Sequence, residues 1–166
     1  MDAIRDFEDL LALLHRHRVR YLIIGGLAFI YHAKPRYTKD MDLWVASSRA
    51  NIHRANLALA EFGSPTLLTC DQPSQVVQIG VAPNRIDLIV EVGSITFAAA
   101  WPKRIEGRYG DSPANWIDLD SLLAIKSAIA SPRHQDDARI LRQVKLLREN
   151  KARQPGRWMR TPRRSV

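Results

Sequence analysis

The chain has 166 residues, 46% of them hydrophobic and 25% charged, which is long and apolar enough to bury a core without covalent staples. A single cysteine, Cys70, excludes an internal disulfide framework, and the longest near-apolar run, residues 21–31, contains two glycines and falls well short of the ~20 residues a membrane helix needs. The formal charge of +8 is concentrated at one end: residues 151–166 carry Lys151, Arg153, Arg157, Arg160, Arg163 and Arg164 and no acid, leaving 19 basic against 17 acidic residues elsewhere.

These totals predict a soluble, cytoplasmic protein with no membrane partner. One domain is expected over residues 1–150, with a core to 118 and a helical part from 119, followed by a basic, flexible tail over 151–166. Such a tail can grip RNA phosphates or an acidic partner, or serve only as a solvated end.

Residues 2–17 place Phe7, Leu10, Leu11 and Leu14 at helical spacing, with acids early and His15, Arg16 and His17 late, which predicts a helix packed on a sheet. His15 and His17 are two residues apart and point to different helix faces, so they read as end charges rather than joint metal ligands.

The stretch YLIIGGLAFIYHAKPRYTKDMDLWV, residues 21–45, reads as strand, glycine turn, short helix, strand. Gly25-Gly26 lets the backbone turn tightly and approach a ligand, and the free N–H groups of the following helix favour an anion, so the ligand expected here is a phosphate chain. On the second strand, period 2 sets Asp40, Asp42 and Trp44 on one face and Met41, Leu43 and Val45 on the other. Two carboxylates so placed repel each other unless protonated or bridged by a cation, and hard oxygen ligands suit Mg²⁺.

Ser47-Ser48 offers an N-cap for a helix over about 49–62 that ends at Gly63. Residues 64–74 read as a connection; 75–81 and 85–92 read as a hairpin turning at Pro83-Asn84. Asp87 stands in RIDLIV, where an acid among apolar neighbours is costly without a partner or a task. An ion pair with Arg36 or Arg85 is one reading and a catalytic role is the other. Residues 93–118 are the least legible, with turns at Trp101-Pro102 and 107–110 and short edge strands at 104–109 and 115–118. Asp118 or Asp120 caps a helix that breaks near Ser131-Pro132, and a last helix over 135–150 uses Ile140, Leu141, Val144, Leu146 and Leu147 as its apolar stripe.

Gly25-Gly26, thirteen residues to Asp40, then Asp42 between apolar positions resembles the signature of the polymerase-β-type nucleotidyltransferase superfamily. The string Arg36-x-Thr38-x-Asp40-x-Asp42 is similar to its AbiEii-like and minimal nucleotidyltransferase branch, which includes toxin-antitoxin components; Leu27 stands where a small polar residue is usual. The resemblance implies an α/β (α+β) nucleotidyltransferase fold, a mixed sheet flanked by helices with further helices at the C-terminus. It implies Asp87 as the third carboxylate beside Asp40 and Asp42, the three holding Mg²⁺ against an NTP substrate. Gly25, Gly26, Arg36 and Thr38 would form the nucleotide loop, with Thr38 fixing its backbone. Residues 122–141 resemble the branch's pattern of a helical Lys with a downstream Arg and Asp facing the nucleotide, matched by Lys126 and Asp136 and more loosely by Arg133.

The activity so implied is Mg²⁺-dependent transfer of an NMP from an NTP to an acceptor hydroxyl, on tRNA or another RNA as an AbiEii-like toxin. The alternatives are transfer of AMP to a protein, or a non-catalytic antitoxin or nucleic-acid-binding module. A cognate toxin or antitoxin is an expected partner. No GxxxxGK, no GxGxxG and no Cys/His set with zinc spacing occurs in the sequence.

Overall fold

The structure, a computed structural model, describes residues 3–81 and 84–153, so the expected tail from residue 154 onward lies outside it. In chain order it comprises α1 (Ala3–Arg16), β1 (Tyr21–Ile24), α2 (Gly25–His32), β2 (Asp40–Val45), α3 (Arg49–Phe62), β3 (Val76–Val81), β4 (Asn84–Ile89), α4 (Phe97–Ala100), β5 (Ile105–Tyr109), β6 (Ser112–Trp116), α5 (Leu119–Ala128) and α6 (Pro132–Arg153). A 3-10 turn, Trp101–Lys103, follows α4 directly.

The alternation along β2 sets the layers. Met41, Leu43 and Val45 are fully buried in one core with Leu10, Leu11 and Leu14 of α1 and Ile52, Ala55 and Leu59 of α3. Trp44 enters a second core with Leu22, Ile24, Phe29, Ile125 and Leu141, so α2, α5 and α6 cover the opposite face. The six strands run β3-β4-β2-β1-β6-β5. β1 is antiparallel to β2 and parallel to β6; β2 is parallel to β4. Both hairpins, β3–β4 and β5–β6, are antiparallel. The sheet is therefore mixed and flanked by helices, as expected from the sequence.

Local chemistry explains several element ends. Ser48 Oγ accepts from Asn51 N at 3.3 Å to start α3, and Gly63, with φ +87°, ends it in the left-handed region. Asp118, not Asp120, caps α5 by accepting from Ser121 N at 3.1 Å. Asn51 is fully buried and binds both Arg20 and Ala46 through its carboxamide, tying α3 to the beginning of β1 and the end of β2.

Several boundaries differ from expectation. The helix after β1 begins at Gly25 itself rather than beyond the glycines. Ser131-Pro132 is not only a break: Pro132 opens α6, because a first helical residue needs no N–H donor. The same helix runs on to Arg153 and takes Lys151 and Arg153 from the expected tail. Its stripe is shorter than the sequence indicates, since Leu141 is buried while Leu146 and Leu147 are exposed. The second expected edge strand is shifted to Ser112–Trp116 and is internal, pairing with β1 as well as β5.

Candidate active site

The site forms where β1 ends and β2 begins. Ile24 pairs with Asp42 across the antiparallel ladder, and the next residue, Gly25, has φ +65°. A Cβ built on Gly25 would stand 1.9 Å from Asp42 Oδ2, so only a bare Cα leaves room for this carboxylate. At Gly26 a Cβ would meet Thr38 Oγ1 at 2.5 Å, which packs the 33–39 loop onto the start of α2.

β4 brings the third acid. In the parallel β2–β4 ladder Asp40 pairs with Arg85 and Asp42 with Asp87, so Asp87 lies on the same face of the sheet as the other two, one strand spacing away. Burial, then the charges of Asp87 and Asp40, push the Asp42 carboxyl up to about 6, against the smaller opposing pull of Lys126 and Arg85. Asp87 is itself buried, and its Oδ1 has no hydrogen-bond partner.

Arg85 supplies the positive charge that this cluster requires. Its guanidinium lies 2.9 Å from Asp87 Oδ2 and 3.4 Å from Asp40 Oδ2, so the ion-pair reading of Asp87 and its place beside Asp42 both hold. Among the described residues no group of three or more His, Cys, Asp or Glu is arranged to hold a metal ion. The donor set nevertheless suits a hard divalent cation: three carboxylates on adjacent strands, an orphaned buried oxygen on Asp87 and an Asp42 pushed toward its neutral form by burial and then by Asp87 and Asp40. Arg85 holds two of those acids, Asp40 and Asp87.

Across the cleft stands a buried cationic network. Lys126 of α5 is 4% exposed and its Nζ lies 3.0 Å from Asp137 Oδ2. Arg36 also pairs with Asp137, and its guanidinium sits 4.3 Å over the Phe29 ring. Burial holds the Lys126 ammonium below its ordinary pKa, with Asp137 pulling the other way. For Asp137 burial acts upward, but the Lys126 and Arg36 cations outweigh it and hold the carboxyl below the usual range.

Asp137 is thus the acid of α6 that reaches the site. Asp136, named from the sequence, is exposed and pairs with Arg139. The two differ by one helical step, and the signal was available: Asp137 lies four residues before Leu141, on the buried face.

A cavity of about 140 Å³ is lined by Gly25, Gly26, Arg36, Thr38, Asp40, Asp42, Lys126, Arg133 and His134. His134 is a residue that sequence reasoning missed; burial, then Lys126, hold its imidazole below the ordinary pKa. Beside this polar cavity lies a mostly apolar recess of about 240 Å³, walled by Ile24, Ile89, Val92, Ile125 and Ile129 with Glu91 among them, and sharing Gly25, Asp42, Lys126 and His134 with it. A charged chain and a flat apolar group could therefore be held side by side over Asp42. No helix among the described residues is long and apolar enough to cross a membrane.

Neither a protein-family model nor a curated protein sequence matches the chain. Solved structures do. The crystal structure of ANT(2'')-Ia in complex with adenylyl-2''-tobramycin superposes with a TM-score of 0.58 at 14% identity, over 92% of this chain and 99% of the other. The solution structure of the antibiotic-resistance factor ANT(2'')-Ia gives 0.53 at 13% identity, over 90% and 91%. An antigenic nucleotidyltransferase-like protein from Paracoccidioides brasiliensis gives 0.50 at 15% identity, over 88% and 77%. At such identities the likeness is one of architecture, and it settles that architecture: this chain has the nucleotidyltransferase fold.

Proposed function

We propose that the chain is a Mg²⁺-dependent nucleotidyltransferase that moves an NMP from an NTP to an acceptor hydroxyl. The observation that carries this reading is the register of Asp42 with Asp87, with the Asp42 carboxylate lodged against Gly25. Asp40, Asp42 and Asp87 would hold the metal, which when bound stabilises charge on the attacking and leaving oxygens.

The chain's own groups supply the rest. The polar cavity takes the triphosphate, with Gly25 and Gly26 in its lining and Arg36, Lys126 and Arg133 countering its charge. The apolar recess takes the nucleobase. The acceptor oxygen forms a bond to the α-phosphorus as the bond from that phosphorus to pyrophosphate breaks. The acceptor's proton passes to Asp87, whose Oδ1 has no other partner. Thr38 fixes the loop under Gly26. Asp137 touches no reacting atom in this scheme and positions Lys126 and Arg36.

The Arg36-x-Thr38-x-Asp40-x-Asp42 string supports placing the chain in the AbiEii-like branch, with tRNA or another RNA as acceptor and toxicity as the outcome. Incubation with α-labelled NTPs, Mg²⁺ and total RNA or lysate tests this: label is expected on RNA, and is expected to vanish in the Asp40→Ala, Asp42→Ala variant. Label on protein would instead support transfer of AMP to a partner, and label persisting in the double variant would refute the site. One observation favours a second reading, that of a non-catalytic antitoxin or nucleic-acid-binding module: Arg85 already neutralises two of the three acids. Label on nothing, with any acceptor fraction, would favour it.

A further inference from the structure

At the end of β1 remote from the carboxylates, the chain enters the strand through Arg18-Val19-Arg20, and a concavity of about 840 Å³ opens between the end of α1, this segment and the β5–β6 ladder. Five arginines line it, Arg16, Arg18, Arg20, Arg104 and Arg108, against a single acid in the lining, Glu106. Some of that charge is compensated. Arg16 pairs with Glu61 and Arg104 with Glu106, while the Asp111 carboxylate lies 4.0 Å from Arg108. Arg18 and Arg20 have no carboxylate partner among the described residues.

The backbone that carries Arg18 and Arg20 is also held in place, as is the Arg104 guanidinium. Arg18 has φ +54°, a left-handed backbone that a non-glycine residue adopts only when its surroundings impose it. Arg54 Nε donates to Arg18 O at 3.2 Å, and the buried Asn51 holds the Arg20 backbone at N and O. The Arg104 guanidinium stacks 4.0 Å over the Trp101 ring and donates to Trp101 O at 3.1 Å, and Arg20 stands 5.9 Å from the same ring. Trp101 is in turn stacked on Phe97, with centroids 5.5 Å apart. Uncompensated like charges kept together by backbone restraint and stacking repel one another unless an anion joins them.

The chemistry narrows which anion. The lining holds five arginines and no lysine, and a planar guanidinium fork matches a phosphate bidentately. The one large aromatic side chain in the lining, Trp101, is stacked against Arg104 and Phe97, which leaves a peptide partner little apolar surface to anchor on. The guanidinium plane on Trp101 offers a face on which a base can stack, and a recess rather than a convex ridge suits a strand whose bases are free.

We propose that this concavity binds the phosphate backbone of a single-stranded nucleic acid. The binding requires nothing of the carboxylate site and stands whether or not that site transfers nucleotides. The test is fluorescence anisotropy of the full-length protein with a labelled oligouridylate across a KCl series. For wild type, affinity falls with salt. In Arg18→Ser, Arg20→Ser, two lost phosphate contacts flatten the slope of log K against log[KCl] by about 1.4, at ~0.7 per contact for a single strand. Arg20→Gln, Arg108→Gln leaves the Arg18 backbone untouched and gives a similar flattening, which separates loss of binding from loss of fold. Wild-type slopes in both variants would overturn the proposal. So would polyglutamate displacing the oligonucleotide as readily as unlabelled oligouridylate does, or tighter binding of the duplex form at equal salt.

Discussion

The two ends of β1 handle charge in opposite ways. Beyond Ile24 the acids and cations are buried or half-buried and answer one another: Asp40 and Asp87 meet Arg85, and Asp137 meets both Lys126 and Arg36. Before Tyr21 the arginines are mostly exposed, and two of them answer no acid. Desolvated charges respond to loss of a partner in whole kcal/mol, whereas exposed ones respond mainly to salt. The first end is built to hold a fixed geometry, and the second to attract.

The largest effect expected from this contrast is at Asp137. Asp137→Ala strands two cations in a buried site and should lower unfolding free energy by about 3–5 kcal/mol, while the adjacent Asp136→Ala stays within about 0.5 kcal/mol, both read by urea melts. Equal losses at the two positions would break the contrast. Gly25→Ala should follow at about 3 kcal/mol, because φ +65° and a 1.9 Å approach to Asp42 Oδ2 leave no space for a methyl group. Its label transfer should vanish with it.

Asp42 sharpens the comparison through pH. Its carboxyl lies at about 6 in the fold against an ordinary 3.8, so the native state binds this proton more tightly than the unfolded chain. That contribution is complete below the unfolded value and is lost as pH rises through about 6. Asp42→Asn should therefore stabilise the metal-free protein near pH 7.5 by about 3 kcal/mol and be near neutral at pH 4, as thermal melts would show. Arg85→Gln should lower the melting temperature in chelator and recover more on addition of Mg²⁺ than wild type does. The smallest effect is expected at the basic end, where Arg20→Gln should raise the melting temperature slightly at low salt by relieving repulsion and leave it unchanged at high salt.

The sequence carried the acidic end well and the basic end poorly. Residues 21–45 were legible because period 2 along β2 separates Met41, Leu43 and Val45 from Asp40, Asp42 and Trp44, and because the Gly25-Gly26 pair marks where a backbone must turn closely. Asp87 stood out as an acid among apolar neighbours. β6 left no such trace: Ser112, Pro113, Ala114 and Asn115 have weak strand preference, and the strand exists because β1 and β5 flank it. Arg18, Arg20, Arg104 and Arg108 meet only through that non-local pairing, so no spacing announces the concavity. Asp137 over Asp136 was a question of helical phase, which Leu141 could have answered.

The claim on which the account turns is that Asp40, Asp42 and Asp87 hold a divalent ion against a nucleotide. Calorimetric titration of a non-hydrolysable NTP with and without Mg²⁺, into wild type and Asp42→Asn, tests it most directly. Wild type should bind in a manner that depends on Mg²⁺, and the variant should not bind. Nucleotide binding of equal strength without the ion, or in Asp42→Asn, would contradict it.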